Sequence, residues 1–279
     1  MQPARSFSIV VLGLVTLVAT LGGTLGCRQL LAIDDGRPPL TEDAGEGDAG
    51  ESDASEAGGQ GYCASLDPQP QFCADFDTAS RVTSGFTNTG GSPDPFVTGE
   101  STLAFDAVNF RSAPRAAAMG VAQLLAPSTA SVALVKRFNG PPTLLVYDFD
   151  LRIDTEDFRE AGQVVMLLSV TFPEGQIAVG RGKRGLSLAA FDGAAQTEEV
   201  STELLPVGAW RRVSLLLTRS EITLHVAGVL AATLARPAAL GGKGLTYAGL
   251  GIVGAAGNMG PFRATFDNVS FTSNAALSD

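Results

Sequence analysis

The sequence predicts an all-β protein built as a two-sheet antiparallel sandwich, on three observations. The stretch Trp210 to Val229, WRRVSLLLTRSEITLHVAGV, places Val213, Leu215 and Leu217 two residues apart, then Ile222, Leu224 and Val226 likewise, with the polar turn Thr218 to Glu221 between them. That is a hairpin with one apolar face, and a lone two-stranded ribbon is marginal in water, so a second sheet must cover it. Other short strand candidates are punctuated by turn signals such as Asn139-Gly140-Pro141-Pro142, Asp192-Gly193 and Gly260-Pro261. The aromatic set, fifteen Phe against one Trp and three Tyr, suits a packed interior more than a stacking surface.

The fold is expected to begin well inside the chain. Residues 1–26 carry one cation, Arg5, then an uncharged apolar run from Phe7 to Leu21, then small residues. This pattern reads as an export signal and not as part of the fold. The tetrad Thr24-Leu25-Gly26-Cys27 resembles the bacterial lipobox, which implies lipidation of Cys27 and a membrane anchor in the cell envelope, at the outer membrane or cell surface. Thr24 departs from that pattern, in which Leu is usual. The alternatives are an uncleaved anchor, since residues 7–26 form an uncharged stretch of bilayer length, and an ordinary cleaved signal.

Residues 27–61 are expected to be a disordered acidic linker. Nine acidic residues between Asp34 and Glu56 face only Arg37, and no aromatic residue is present to seed a core. This linker accounts for most of the formal charge of −10, and from Gly61 onward acids and bases are close to balanced. No basic face is visible, so nucleic acid is excluded as a partner.

Three cysteines in an exported chain leave one to explain. With Cys27 lipidated, Cys63 and Cys73 are expected to form a disulfide; two reduced buried thiols are the alternative. The domain is expected over residues 62–279. Strand candidates run Phe72 to Phe76, Leu103 to Phe110, Ala116 to Val121, Ser131 to Phe138, Thr143 to Asp154, Gln163 to Phe172, Gln176 to Gly180, Leu186 to Phe191, the hairpin, Tyr247 to Val253 and Phe262 to Phe271. The Ala-rich runs Ala116 to Ala126 and Leu230 to Leu240 admit a helix instead.

A family resemblance enters with three stretches. The Trp-led hairpin ending near Gly228, the closing Phe266-Asp267-Asn268-Val269-Ser270-Phe271 and the opening Phe72-Cys73-Ala74-Asp75-Phe76-Asp77 together resemble concanavalin A-like lectin/glucanase domains of the laminin G-like type. The resemblance implies a jelly-roll sandwich over about residues 72 to 272. One departure is Ala227, where that family tends to carry an acidic residue.

Few residues carry chemistry. Gly180, Gly182, Gly185 and Gly249, Gly251, Gly254 match the dinucleotide-binding pattern, but neither set opens a helix, so both are rejected. His225 is the only histidine, which excludes zinc sites built from several histidines. On the strand YDFDLRID, Asp148, Asp150, Arg152 and Asp154 share one face, a pattern that glucanase jelly rolls use for acid and nucleophile. Arg152 stands among the carboxylates, and a neighbouring positive charge disfavours a proton donor, so internal ion pairing is the first reading and a sugar or ion contact through Asp148, Asp150, Arg152 and an exposed Trp210 the second. No catalytic residue is assigned. Asp75, Asp77 and Asp267, near the domain's two chain ends, could share a structural calcium. The function expected is a non-catalytic module binding carbohydrate or a protein partner; a degenerate or active polysaccharide-cleaving enzyme and a purely structural envelope protein are the alternatives.

Overall fold

The computed structural model describes residues 61–87, 95–160, 162–192, 195–201, 205–241 and 244–278. The expected signal, the lipidated Cys27 and the linker up to residue 60 lie outside the described residues. Among the described residues the regular elements are strands, apart from 3-10 turns at Tyr62–Ser65 and Ala238–Gly241.

The first sheet contains β1 (Phe72–Ala74), β3 (Ser101–Asp106), β4 (Ala116–Val121), β6 (Leu145–Thr155), β11 (Arg211–Leu217), β12 (Glu221–Val226), β13 (Val229–Ala235) and β15 (Phe262–Ser273). Its order is β13-β12-β11-β6-β15-β4-β3, with β1 also on β15. The second contains β2 (Phe96–Thr98), β5 (Thr129–Phe138), β7 (Val164–Phe172), β8 (Gly175–Gly182), β9 (Gly185–Phe191), β10 (Ala195–Ser201), β14 (Thr246–Ala256) and β16 (Leu277–Ser278), ordered β10-β9-β8-β7-β14-β5-β16 with β2 on β5. Every pairing is antiparallel.

The hairpin is β11–β12, with Val213, Leu215, Leu217, Ile222, Leu224 and Val226 all fully buried. Each Ala-rich run opens as a strand, β4 and β13, and the second closes in the 3-10 turn at Ala238–Gly241; in β4, Ala117, Met119 and Val121 pack inward on alternate positions, and burial on a period of two overrides the helical preference of alanine. Strands β2, β10, β13 and β16 were not expected; β2 and β16 have only three and two residues, too few for an alternation to register.

Strand β15 shows how the interior tolerates a polar insertion. Strict alternation would put Phe266 and Phe271 on opposite faces, yet both are buried. A bulge between Asp267 and Ser270, with Asn268 at φ +50°, shifts the register so that Val269 and Phe271 return to the core. Phe271 stacks on Phe72 at 4.7 Å and meets the ring of Tyr147 edge-on at 5.3 Å, joining β1, β6 and β15.

Two charged groups enter the sandwich. By composition Arg181, set among glycines beside Lys183 and Arg184, suits a solvated turn, yet only Lys183 and Arg184 are exposed. Arg181 points inward from β8, 2 % exposed, and meets Glu156 beyond the end of β6 through two bonds of 2.6 and 2.7 Å, tying the sheets together. Lys136 donates to the Gly85 carbonyl at 2.9 Å.

Candidate functional site

Each sheet has one face turned away from the core, and the two faces differ in kind. On the first sheet, alternation along β6 turns Asp148, Asp150, Arg152 and Asp154 outward over buried Tyr147, Phe149, Leu151 and Ile153. Their polar atoms are used within the protein. Asp148 accepts the Ser214 hydroxyl from β11; Asp150 accepts the Asn268 amide at 2.8 Å and lies 3.6 Å from Arg212. Arg152 donates to Asn109 and pairs with Asp154 at 3.1 Å.

The start of the domain lies over this same face. Arg212 donates to the Tyr62 hydroxyl and sits 5.1 Å from its ring, and the Cys63–Cys73 disulfide fastens the turn to β1. Trp210 stands half-buried just before β11, outside the paired register, and its carbonyl accepts a bond from Arg211. Asp150 is thus tied to Arg212 and Asn268, Arg152 to Asp154 and Asn109, and Asp148 to Ser214, while Trp210 enters none of these pairs.

Asp75, Asp77 and Asp267 meet at the junction of β1 and β15. Asp267 is fully buried and spends both oxygens on the backbone N–H groups of Arg111, Ser112 and Asn268 and on the Ser112 hydroxyl. Burial pushes its carboxyl up to about 6 against the lowering pull of those N–H groups, and nearby Asp77 adds to the rise. Asp77 is raised by burial and then by Asp75, and its Oδ1 is buried without a donor. Asp75 accepts from the N–H groups of Cys63 and Asp77. Among the described residues no three His, Cys, Asp or Glu side chains converge as metal ligands.

The outward face of the second sheet carries a row that the sequence reading did not assemble. Arg137 on β5 stands opposite Tyr247 on β14, Tyr247 opposite Thr171 on β7, Thr171 opposite Gln176 on β8, and Gln176 opposite Phe191 on β9. All five are half-buried, and their chain neighbours Phe138, Ala248, Val170, Ile177 and Ala190 are core residues, which turns the five outward together. At about 4.8 Å per strand the row spans about 19 Å. Beside it the floor is low: Ser169, Ala178, Ala189 and Gly249 fill the next row. The Gln176 amide reaches over this floor to the Met166 sulfur at 3.4 Å.

The residues of this row sit on five strands, each next to apolar core positions, so only the register brings them together. The two glycine patterns lie on the same sheet, one across the β8–β9 turn and one within β14, and neither precedes a helix. The only histidine, His225, is half-buried on β12, opposite Ser214 on the outward face of the first sheet.

No family model matches the sequence, and no curated protein matches it. Solved structures do resemble it, one of them with a TM-score above 0.5. An endo-β-1,4-glucuronan lyase from the fungus Trichoderma reesei superposes with a TM-score of 0.55 at 13 % identity, covering 74 % of this chain and 96 % of the lyase. The cellulose-induced protein Cip1 superposes with a TM-score of 0.49 at 12 % identity over 72 % of this chain and 96 % of its own. Alginate lyase AlgAT5 of polysaccharide lyase family 7 gives a TM-score of 0.37 at 12 % identity over 57 % of this chain. The chain has the two-sheet jelly-roll sandwich fold.

Proposed function

We propose that the protein is an exported cell-envelope lipoprotein whose sandwich binds carbohydrate without cleaving it, on the outward face of the second sheet. The observation that carries this reading is the row Arg137, Tyr247, Thr171, Gln176 and Phe191, which sets two aromatic rings and hydrogen-bonding groups beside a floor of small side chains. Rings offer flat apolar contact to a sugar, while amide, hydroxyl and guanidinium groups meet its hydroxyls. The glucuronan lyase with the same fold acts on a polysaccharide, which agrees with this choice of ligand. Against cleavage, the face has no histidine to move a proton, and the carboxylates of β6 lie on the opposite side, already paired.

The lipid anchor at Cys27 rests on the lipobox resemblance alone, and mass spectrometry of the mature N-terminus tests it. A glycan array probed with the full chain tests the binding. Retention of one glycan class, reduced in Tyr247→Ala, is expected; no retained glycan overturns the reading. The second reading, a polysaccharide lyase, is favoured by Tyr247 standing beside Arg137, and it requires unsaturated products absorbing in the ultraviolet from a uronate polymer.

We propose the structural calcium in a narrower form, with Asp77 as its principal carboxylate. Asp77 has a buried oxygen without a donor, whereas Asp267 has none to spare. Oxygen ligands suit a hard cation. Calcium in place of chelator is expected to raise Tm, and the rise to disappear in Asp77→Asn; an unchanged Tm removes the cation from the account.

A further inference from the structure

A second concavity, of about 460 Å³, opens on the outward face of the first sheet, on the opposite side of the sandwich from the Tyr247 row. The register explains its shape. Thr102 on β3, Gly120 on β4, Arg263 on β15 and Thr155 on β6 form one lateral row, and Gly120 supplies the gap. A Cβ there would press on the Thr102 hydroxyl at 3.0 Å and meet the Phe262 carbonyl at 3.6 Å, so a side chain at this position intrudes on the notch. Pro261 forms an apolar wall, and Glu100 stands at the rim, where this notch meets a second of about 410 Å³ running toward Leu125.

The walls are held in place. Glu100 lies on the turn between β2 and β3, where Gly99 has φ +66°, and its carbonyl accepts the Ala122 N–H at 3.0 Å. The neighbouring Ser101 hydroxyl bonds the carbonyls of Thr98 and Ser131. The Arg263 guanidinium donates to Asp106 at 2.7 Å and lies 3.6 Å from Asp154, yet half of its side chain stays exposed, so N–H groups face solvent in a fixed orientation.

We propose that this notch is a saccharide-binding site for a neutral or amino-bearing sugar unit. Its chemistry is a carboxylate, a guanidinium and two threonine hydroxyls around a glycine floor, with a proline ring on one side, and such a set can both donate to and accept from the hydroxyl pairs of a pyranose. The local charge selects among sugars. Arg263 is taken up by Asp106 and Asp154, and Asp154 also by Arg152, so the three carboxylates, Glu100 included, still outnumber the two cations by one, which disfavours a uronate carboxylate and favours an amino group or uncharged hydroxyls. The site does not rest on the Tyr247 face: either can hold while the other fails.

The test is an array of neutral, amino-bearing and uronic saccharides probed with the full chain and with Gly120→Val, Glu100→Gln and Tyr247→Ala. Valine suits a strand and fills the notch, and a thermal melt of each variant confirms that it is folded. The expected result is a set of neutral or amino-bearing saccharides whose signal drops at least tenfold in Gly120→Val, drops also in Glu100→Gln, and is unchanged in Tyr247→Ala. If every retained glycan binds folded Gly120→Val as it binds the parent, or if the saccharides lost are uronic, the proposal is wrong. An array on which nothing binds the parent overturns it together with the Tyr247 reading, whereas loss confined to Tyr247→Ala overturns the notch alone.

Discussion

Replacing Glu156 by Gln tests how the two sheets are joined. Arg181 is 2 % exposed and, among the described residues, takes its counter-charge from Glu156 through bonds of 2.6 and 2.7 Å, while its Nη1 already lacks a partner. Glutamine keeps the shape but supplies one neutral acceptor, leaving a buried cation without an anion. Breaking a buried pair this way costs about 3 to 5 kcal/mol. The Glu156 side chain is 19 % exposed, so water reaches it and the lower end applies, about 3 kcal/mol. For a domain of this size that is a fall in Tm of about 6 to 12 °C. Urea denaturation followed by circular dichroism gives the free energy, and a thermal scan gives the second value. The double variant Arg181→Leu, Glu156→Leu removes both charges and is expected within about 1 kcal/mol of the parent, because apolar replacements of buried pairs are often neutral or better. A loss below about 1 kcal/mol in Glu156→Gln, or a double variant as weak as the single one, would refute the buried-pair argument.

Four further groups have defined outcomes. Tyr147 is fully buried with an unpaired hydroxyl, and burial holds its phenol far above the ordinary range, so Tyr147→Phe should be neutral or stabilising by about 1 kcal/mol and spectrophotometric titration should show one tyrosine that does not ionise until the protein unfolds. Because Asp267 is raised to about 6, the folded state holds a proton that the unfolded chain has lost between about pH 4 and pH 6; its contribution is complete below that window and lost as pH rises through 6, giving about 1 kcal/mol of extra stability at pH 5 over pH 7 that Asp77→Asn should reduce. Asp106 behaves oppositely: burial would raise it, but the N–H groups of Asn109 and Val108, the Asn109 amide and Arg263 hold it low, so its stabilisation fades only in strong acid. Changing Cys63 and Cys73 to Ser opens a ten-residue separation and should cost about 3 kcal/mol in urea; an unchanged midpoint would show that the clamp over the first sheet is dispensable.

The interior of the fold was readable because burial writes itself on a strand with a period of two. Val213 to Val226 and Tyr147 to Ile153 needed no other signal. Where a bulge breaks the period, as at Asn268, composition alone could not tell which Phe turns inward, although both do. Arg181 was misplaced because arginine beside glycines and Lys183 looks like a turn, and its partner Glu156 is 25 residues away. The row on the second sheet was hidden for a related reason: Arg137, Tyr247, Thr171, Gln176 and Phe191 share no motif, and only pairing across five strands aligns them. By contrast, the Arg152–Asp154 pair lies within a single strand, where an arginine among aspartates already suggested it.

Calorimetric titration of the full chain with a glycan whose array signal is unchanged in Gly120→Val compares the two faces directly. Tyr247→Ala and Gln176→Ala are expected to weaken binding about tenfold or more, near 1.4 kcal/mol each, while His225→Ala on the other side leaves the affinity as it was. Unchanged binding in both Tyr247→Ala and Gln176→Ala, with a loss in His225→Ala, would contradict the assignment of the ligand face.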